Sequence, residues 1–188
     1  MTKRIFIISF LLCLCLGSEA QNFVVKTNAL YWGTSTPNVG LETTISKKWT
    51  MEIEAGYNPW EFNTEDNFKV KHLLISPEFR YWFCEPYLGH FLGAGSNLVY
   101  FNVGALPAPI YDLKDNRIQG YAASLGVNYG YSLPIARRWN FEFNIGLGIW
   151  YAQYDQYESR KCGLFHETVS KCALGLTSLG ASFVYIIK

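Results

Sequence analysis

The stretch Trp139-Asn140-Phe141-Glu142-Phe143-Asn144-Ile145-Gly146-Leu147-Gly148-Ile149-Trp150-Tyr151 decides the fold. Its odd positions (Trp139, Phe141, Phe143, Ile145, Leu147, Ile149, Tyr151) are all apolar or aromatic. Its even positions run Asn140, Glu142, Asn144, Gly146, Gly148, Trp150. A period of two is that of a β-strand, whose successive side chains point to opposite faces. One face greasy throughout and the other small and polar suits a wall between two different media. Tyr121 to Tyr131 repeats the pattern, with Tyr121, Ala123, Leu125, Val127, Tyr129 and Tyr131 against Ala122, Ser124, Gly126, Asn128 and Gly130.

Working outward, the same alternation marks Val39–Ile45, Trp49–Tyr57 and Leu73–Phe83. Two more strands are expected at Phe23–Thr34 and His90–Val103, their facing left open, and a last one at about Ala173–Ile187 with Leu179, Ala181, Phe183, Tyr185 and Ile187 on one side. That makes eight. Pro77 has no N–H for a ladder, so a bulge or local break is expected there. The glycines fit the inner face of a narrow closed wall, where they make room for larger neighbours.

The connections alternate in length. Residues 46–48, 84–89 and 132–138 are short; residues 58–71, 104–117 and 152–171 are long; the opening link, 35–38, breaks the rule. Short turns on one side and long loops on the other are the asymmetry of a bacterial outer-membrane barrel. Aromatics gather at both ends of the strands, with Trp49, Trp139, Tyr81, Phe83, Tyr129 and Tyr131 near the short turns and Tyr57, Trp60, Tyr100, Tyr121, Tyr151 and Tyr154 near the long loops. Amphipathic rings favour the two interfaces of a membrane. The reading is an all-β, eight-stranded, antiparallel up-and-down transmembrane β-barrel.

The N-terminus gives an address. Lys3 and Arg4 precede an apolar run from Ile5 to Leu16, and Ser18 and Ala20 frame a small-residue cleavage site before Gln21. This is the layout of a secretory signal peptide over residues 1–20, leaving a barrel over residues 21–188. The expected location is the outer membrane of a Gram-negative bacterium.

Composition narrows the function classes. Of 188 residues, 16% are charged and 17% aromatic, and the formal net charge is +1. Without Lys3, Arg4 and Glu19 the basic and acidic residues balance. Such a chain has no electrostatic footprint for nucleic acid, and no phosphate loop or zinc-finger spacing occurs in it. No cofactor is called for.

Charged residues on the small, polar faces are Glu42, Glu52, Glu54, Glu78 and Glu142, opposed by Arg80 and with Lys26 a further candidate. A buried charge is costly unless paired, so Arg80 is expected to be the hub of an interior carboxylate network that fills the barrel and fixes register. A proton or ion path is the disfavoured alternative, since a barrel of eight strands is filled by side chains. Cys162 and Cys172 flank the last long loop at a spacing a disulfide closes, and that pair is predicted, leaving Cys84 over. A metal site at Cys162, His166 and Cys172 lacks a fourth ligand. His72, His90 and His166 are scattered, and no nucleophile, base and orienter fall together, so no catalytic residue is assigned.

Near the C-terminus Ser178, Gly180, Phe183 and Tyr185 resemble the assembly signal read by the barrel insertion machinery, although Ile186, Ile187 and Lys188 follow it. The chain from Val25 to Lys188 also resembles a family of unknown function of small outer-membrane barrels from Bacteroides-type bacteria, similar to OmpA- and OmpX-like barrels. The resemblance is carried by Lys26-Thr27-Asn28-Ala29-Leu30-Tyr31-Trp32, Thr36-Pro37-Asn38, Gly56-Tyr57-Asn58-Pro59, Pro77-Glu78-Phe79-Arg80-Tyr81-Trp82-Phe83-Cys84, Gln119-Gly120 and Arg138-Trp139-Asn140. It implies fold and location and transfers no catalytic residues. The partners expected are outer-membrane lipid, the insertion machinery and a surface protein met through the loop aromatics Trp60, Tyr111, Tyr154 and Tyr157. The role expected is structural, adhesive or accessory to a surface appendage. The rival is a secreted lipocalin-like barrel holding a small apolar ligand, and behind it a lipid-modifying enzyme.

Overall fold

The structure, a computed structural model, describes residues 23–63, 68–104, 116–158 and 163–187. The export segment at residues 1–20 lies outside them. Nine antiparallel strands are present: β1 (Phe23–Asn28), β2 (Asn38–Ser46), β3 (Trp49–Asn58), β4 (Glu61–Asn63), β5 (Phe68–Trp82), β6 (Gly89–Gly104), β7 (Asn116–Ala136), β8 (Trp139–Glu158) and β9 (Phe165–Ile186). A five-residue helix, α1 (Ala29–Gly33), follows β1. Apart from β3 and β4, neighbours in sequence are neighbours in the sheet; β1 also pairs with β9, and β3 pairs directly with β5. Eight strands therefore close a hydrogen-bonded ring, with β4 laid against the upper part of β5. Closure leaves no long unpaired edge around the lower ring, where all eight strands are in register.

Both ends of the described chain meet at the end of the short turns, where the Ile187 N–H donates to the Phe23 carbonyl at 2.9 Å. Alternation runs as the sequence implies. Leu125, Val127, Phe143, Ile145, Leu147 and Ile149 are exposed on the outside, while Ser124, Asn128, Asn140 and Glu142 are buried on the inside. For β6 the structure settles the facing: Leu92, Leu98 and Tyr100 point out and Phe91 and Asn97 point in.

Four details differ from the sequence reading or sharpen it. First, β1 stops at Asn28, whose side chain accepts the Leu30 N–H and caps α1; the expected strand to Thr34 is replaced by a helical turn. Second, the strands outrun their apolar alternation. β7 begins five residues before Tyr121 and β8 runs seven past Tyr151, so the segments expected as loops at 104–117 and 152–171 are partly sheet. Those extensions carry polar residues on both faces, and a period-two apolar signal cannot reveal them. Third, of the two outcomes expected at Pro77, no bulge forms and the ladder breaks locally instead. The β5–β6 register is the same on either side of it, and pairing is missing only opposite Asn97 and Ser96, because the proline lacks its N–H. Fourth, a bulge at Thr177 re-phases β9, so that Leu176 and Leu179 both face outward beside Leu147 and Ile145.

Candidate functional site

The interior is built in layers. At the turn end Val24, Trp82, Tyr87, Phe91 and Val184 form an apolar floor. Trp82 and Phe91 pack in a tilted pair with centroids 4.7 Å apart. Phe91 lies where a side chain on Gly130 would stand: a Cβ there would meet the Phe91 ring at 2.2 Å. Tyr87 reaches in from the β5–β6 turn with φ of 68°, and its hydroxyl pairs with Thr44 at 2.9 Å. Burial pushes its phenol well above the ordinary range, so it stays protonated.

Above the floor lies the ion network. Arg80, 3% exposed, reaches Glu78 at 2.7 Å, Glu142 at 2.8 Å and Glu42 at 3.3 Å, and also pairs with Glu52. Its guanidinium sits 4.5 Å over the Phe91 ring, which joins the network to the floor. Lys26 is a second hub, pairing with Glu42, with Glu52 at 3.1 Å and with Glu142 at 3.0 Å. Thr50 donates to Glu42 and accepts from the Trp82 indole N–H at 2.9 Å. Arg80 thus contacts four of the five carboxylates expected around it, Glu42, Glu52, Glu78 and Glu142. Glu54 is the exception. It lines the same interior but makes no ion pair among the described residues.

Glycines explain how a side chain on one strand meets one two strands away. Glu78 crosses β6 to receive the Asn128 amide N–H groups at 3.0 and 3.2 Å. A Cβ on Gly93 would lie 2.2 Å from a Glu78 carboxylate oxygen, and one on Gly95 would lie 2.8 Å from the Pro77 carbonyl. Gly180 similarly admits the Asn144 amide, which donates to Ser178 at 2.7 Å.

Toward the loop end four polar residues of the resembling segments lock β1, α1, β2 and β3 together. The Asn28 N–H donates to Asn38 at 2.7 Å, Asn38 donates back to the Asn28 carbonyl at 3.0 Å, and Asn58 donates to Thr36 at 3.1 Å. The Asn28 amide also bonds the β9 backbone at Leu179 and Ala181, continuing the β1–β9 contact past the end of the ladder. The sequence reading quoted these residues but gave them no role; the cue was three Asn residues at strand ends.

Other expected site residues separate. Ser178 and Gly180 face inward, while Phe183 packs on Phe141 at 4.9 Å and Tyr185 on Trp139 at 4.9 Å outside, all on the strand that closes the ring. Trp60 is exposed in the β3–β4 link, its indole donating to the Ser35 carbonyl at 2.7 Å. Tyr154 and Tyr157 are in strand β8, not a loop; Tyr154 packs on Phe101 and Tyr157 under Arg117. Tyr111 lies outside the described residues.

The Cys162–Cys172 disulfide is corrected. Cys172 is free and exposed, and it stands within β9, paired opposite Tyr151. Seven extended residues separate it from Phe165, about 23 Å at roughly 3.3 Å each. Cys162 itself lies outside the described residues. Among those residues no group of His, Cys, Asp and Glu is placed to hold a metal ion.

A family model described as "Protein of unknown function (DUF3575)" matches residues 6–187. The chain belongs to that family. No curated protein and no solved structure matches it. Membership assigns no reaction, so the reading of the DUF3575 chain rests on the layered interior and the apolar exterior.

Proposed function

We propose that this protein is a non-catalytic integral outer-membrane β-barrel, eight-stranded and up-and-down, whose loop end serves a structural, adhesive or appendage-accessory role at the cell surface. One observation carries the reading: the ring is inside out relative to a soluble fold. Its interior holds Lys26, Glu42, Glu52, Arg80 and Glu142 at 5% exposure or less, while Leu125 is 72% and Val127 66% exposed on the outside. Water is a poor neighbour for that exterior, since contiguous apolar patches of such extent mark membrane or partner contact. A lipocalin-like carrier needs the opposite, an apolar interior and a hydrated outside.

The dimensions agree. The outward residues from Tyr121 to Tyr131 on β7 span ten steps, about 33 Å along the strand and about 25 Å along the normal at a ~40° tilt, the height of the apolar band of outer-membrane barrels. Aromatic contacts mark its lower rim, Trp49 on Tyr81 at 5.1 Å and Trp139 on Tyr185 at 4.9 Å. At the upper rim Gln119 donates to the Tyr100 hydroxyl and Tyr121 to Gln153, so the phenols bond the polar strand extensions above. No helix among the described residues is long and apolar enough to cross a membrane.

The test is fractionation of cells expressing the full chain. The protein is expected in the outer-membrane fraction, released by detergent and not by salt or alkali, and shifted in gel mobility by boiling. A chain that remains monodisperse in buffer without detergent refutes the reading.

A further inference from the structure

Beside the ion network lies a cavity of about 30 Å³ whose lining includes Tyr31, Glu52, Glu54, Glu78, Asn128 and Asn144, with Arg80 on the wall it shares with the network. It has room for a water-sized species, which needs about 10–15 Å³ of such space. At this level the charged groups facing inward are Lys26 from β1, Glu42 from β2, Glu52 and Glu54 from β3, Glu78 and Arg80 from β5 and Glu142 from β8; the inward residues of β6, β7 and β9 here are uncharged. Five carboxylates thus face two cations. The four that touch Arg80 or Lys26 already share both positive charges. Glu54 is left over.

A second, independent observation points into the same cavity. Asn128 is 4% exposed, and its amide nitrogen donates to Glu78. Its Oδ1 has no hydrogen-bond partner among the described residues. Turning the amide over would set that oxygen against the Glu78 carboxylate, so the orphan acceptor is fixed by its surroundings. An unsatisfied buried acceptor and an unpaired, partly buried carboxylate each carry a desolvation penalty, and one positive charge between them offsets both.

We propose that this cavity binds one small monovalent cation, with the Glu54 carboxylate and the Asn128 carbonyl oxygen as donors. Oxygen donors suit a hard cation. A divalent ion of the calcium type wants more carboxylates than converge here, since no three acidic, His or Cys side chains among the described residues are placed to hold one. The proposal does not depend on whether the ring sits in a membrane.

The test is thermal unfolding of the full chain in a zwitterionic detergent at fixed pH and ionic strength, with sodium chloride exchanged stepwise for N-methylglucamine chloride, a cation too large for the cavity. Sodium is expected to raise Tm by about 3 °C in a saturable way, the size expected of a site well occupied at ~150 mM. Sodium-23 resonance broadening by the wild-type protein, reversed by potassium, is expected alongside. Glu54→Gln is expected to lose the sodium dependence while its Tm in N-methylglucamine equals or exceeds that of the wild type. If Glu54→Gln fails to fold, the wild-type sodium measurements decide alone. A Tm that ignores the identity of the cation overturns the site, as does a sodium dependence undiminished in Glu54→Gln. The series is repeated at a second pH, where a Tm that follows pH but not sodium assigns the missing charge to protons and overturns the site equally.

Discussion

Replacing Arg80 by alanine is the most searching test of how the interior is held. Arg80 is 3% exposed and touches four carboxylates and the face of Phe91. Without it Lys26 alone faces Glu42, Glu52 and Glu142, and Glu78 keeps only the Asn128 amide. Removing one partner of a buried ion pair costs about 3–5 kcal/mol, because a buried charge is left uncompensated. Loss of the guanidinium over Phe91 adds about 0.5–2 kcal/mol. Against a total stability on the order of 5–15 kcal/mol, such a loss is a large fraction. Arg80→Lys restores the charge but replaces a planar fork by a point donor, so it recovers only part. Glu78→Gln keeps a hydrogen-bonding side chain and removes one of several carboxylates, so it is expected to cost no more than about 1.5 kcal/mol. Equilibrium unfolding in urea from lipid vesicles, followed by tryptophan fluorescence, ranks the three. The order Arg80→Ala, Arg80→Lys, Glu78→Gln from worst to mildest is expected. An Arg80→Ala protein within about 0.5 kcal/mol of wild type, the range of an ordinary surface change, refutes the hub.

Three further outcomes follow from the same geometry. Gly93→Ala is expected to lose about 1–3 kcal/mol in the same unfolding assay, since its methyl stands where Glu78 crosses β6; Gly33→Ala, with nothing within 4 Å, serves as the neutral control, and equal effects of the two contradict the crossing. Leu125→Arg, at the middle of the outward band, is expected to cost about 2–4 kcal/mol in vesicles, whereas Gln153→Arg, above the upper rim, should stay within about 1 kcal/mol; a harmless Leu125→Arg places lipid elsewhere. Cys172→Ser is expected to leave stability within about 0.5 kcal/mol and gel mobility without reductant unchanged; a loss of several kcal/mol together with a mobility change would restore the disulfide.

The faces of the strands were legible before any coordinates, because alternation is a local property: each residue's side is set by its neighbour's. Glu42, Glu52, Glu78, Arg80 and Glu142 were therefore assignable to the interior from their positions alone. Which of them touch was not. Contacts across the ring depend on the stagger between strands, and that is decided by closure of β1 on β9 and β3 on β5, events between residues far apart in the chain. So Lys26 became a second hub and Glu54 an unpaired carboxylate only in three dimensions. The floor needed Tyr87 folded in from a turn, and the phase of Leu174 and Leu176 needed the bulge at Thr177, neither of which follows from a repeat of two. The Cys162–Cys172 expectation failed for the same reason. Ten residues of separation specify a loop length only if the chain is a loop, and here most of it is an extended strand that hydrogen bonding to β8 holds straight.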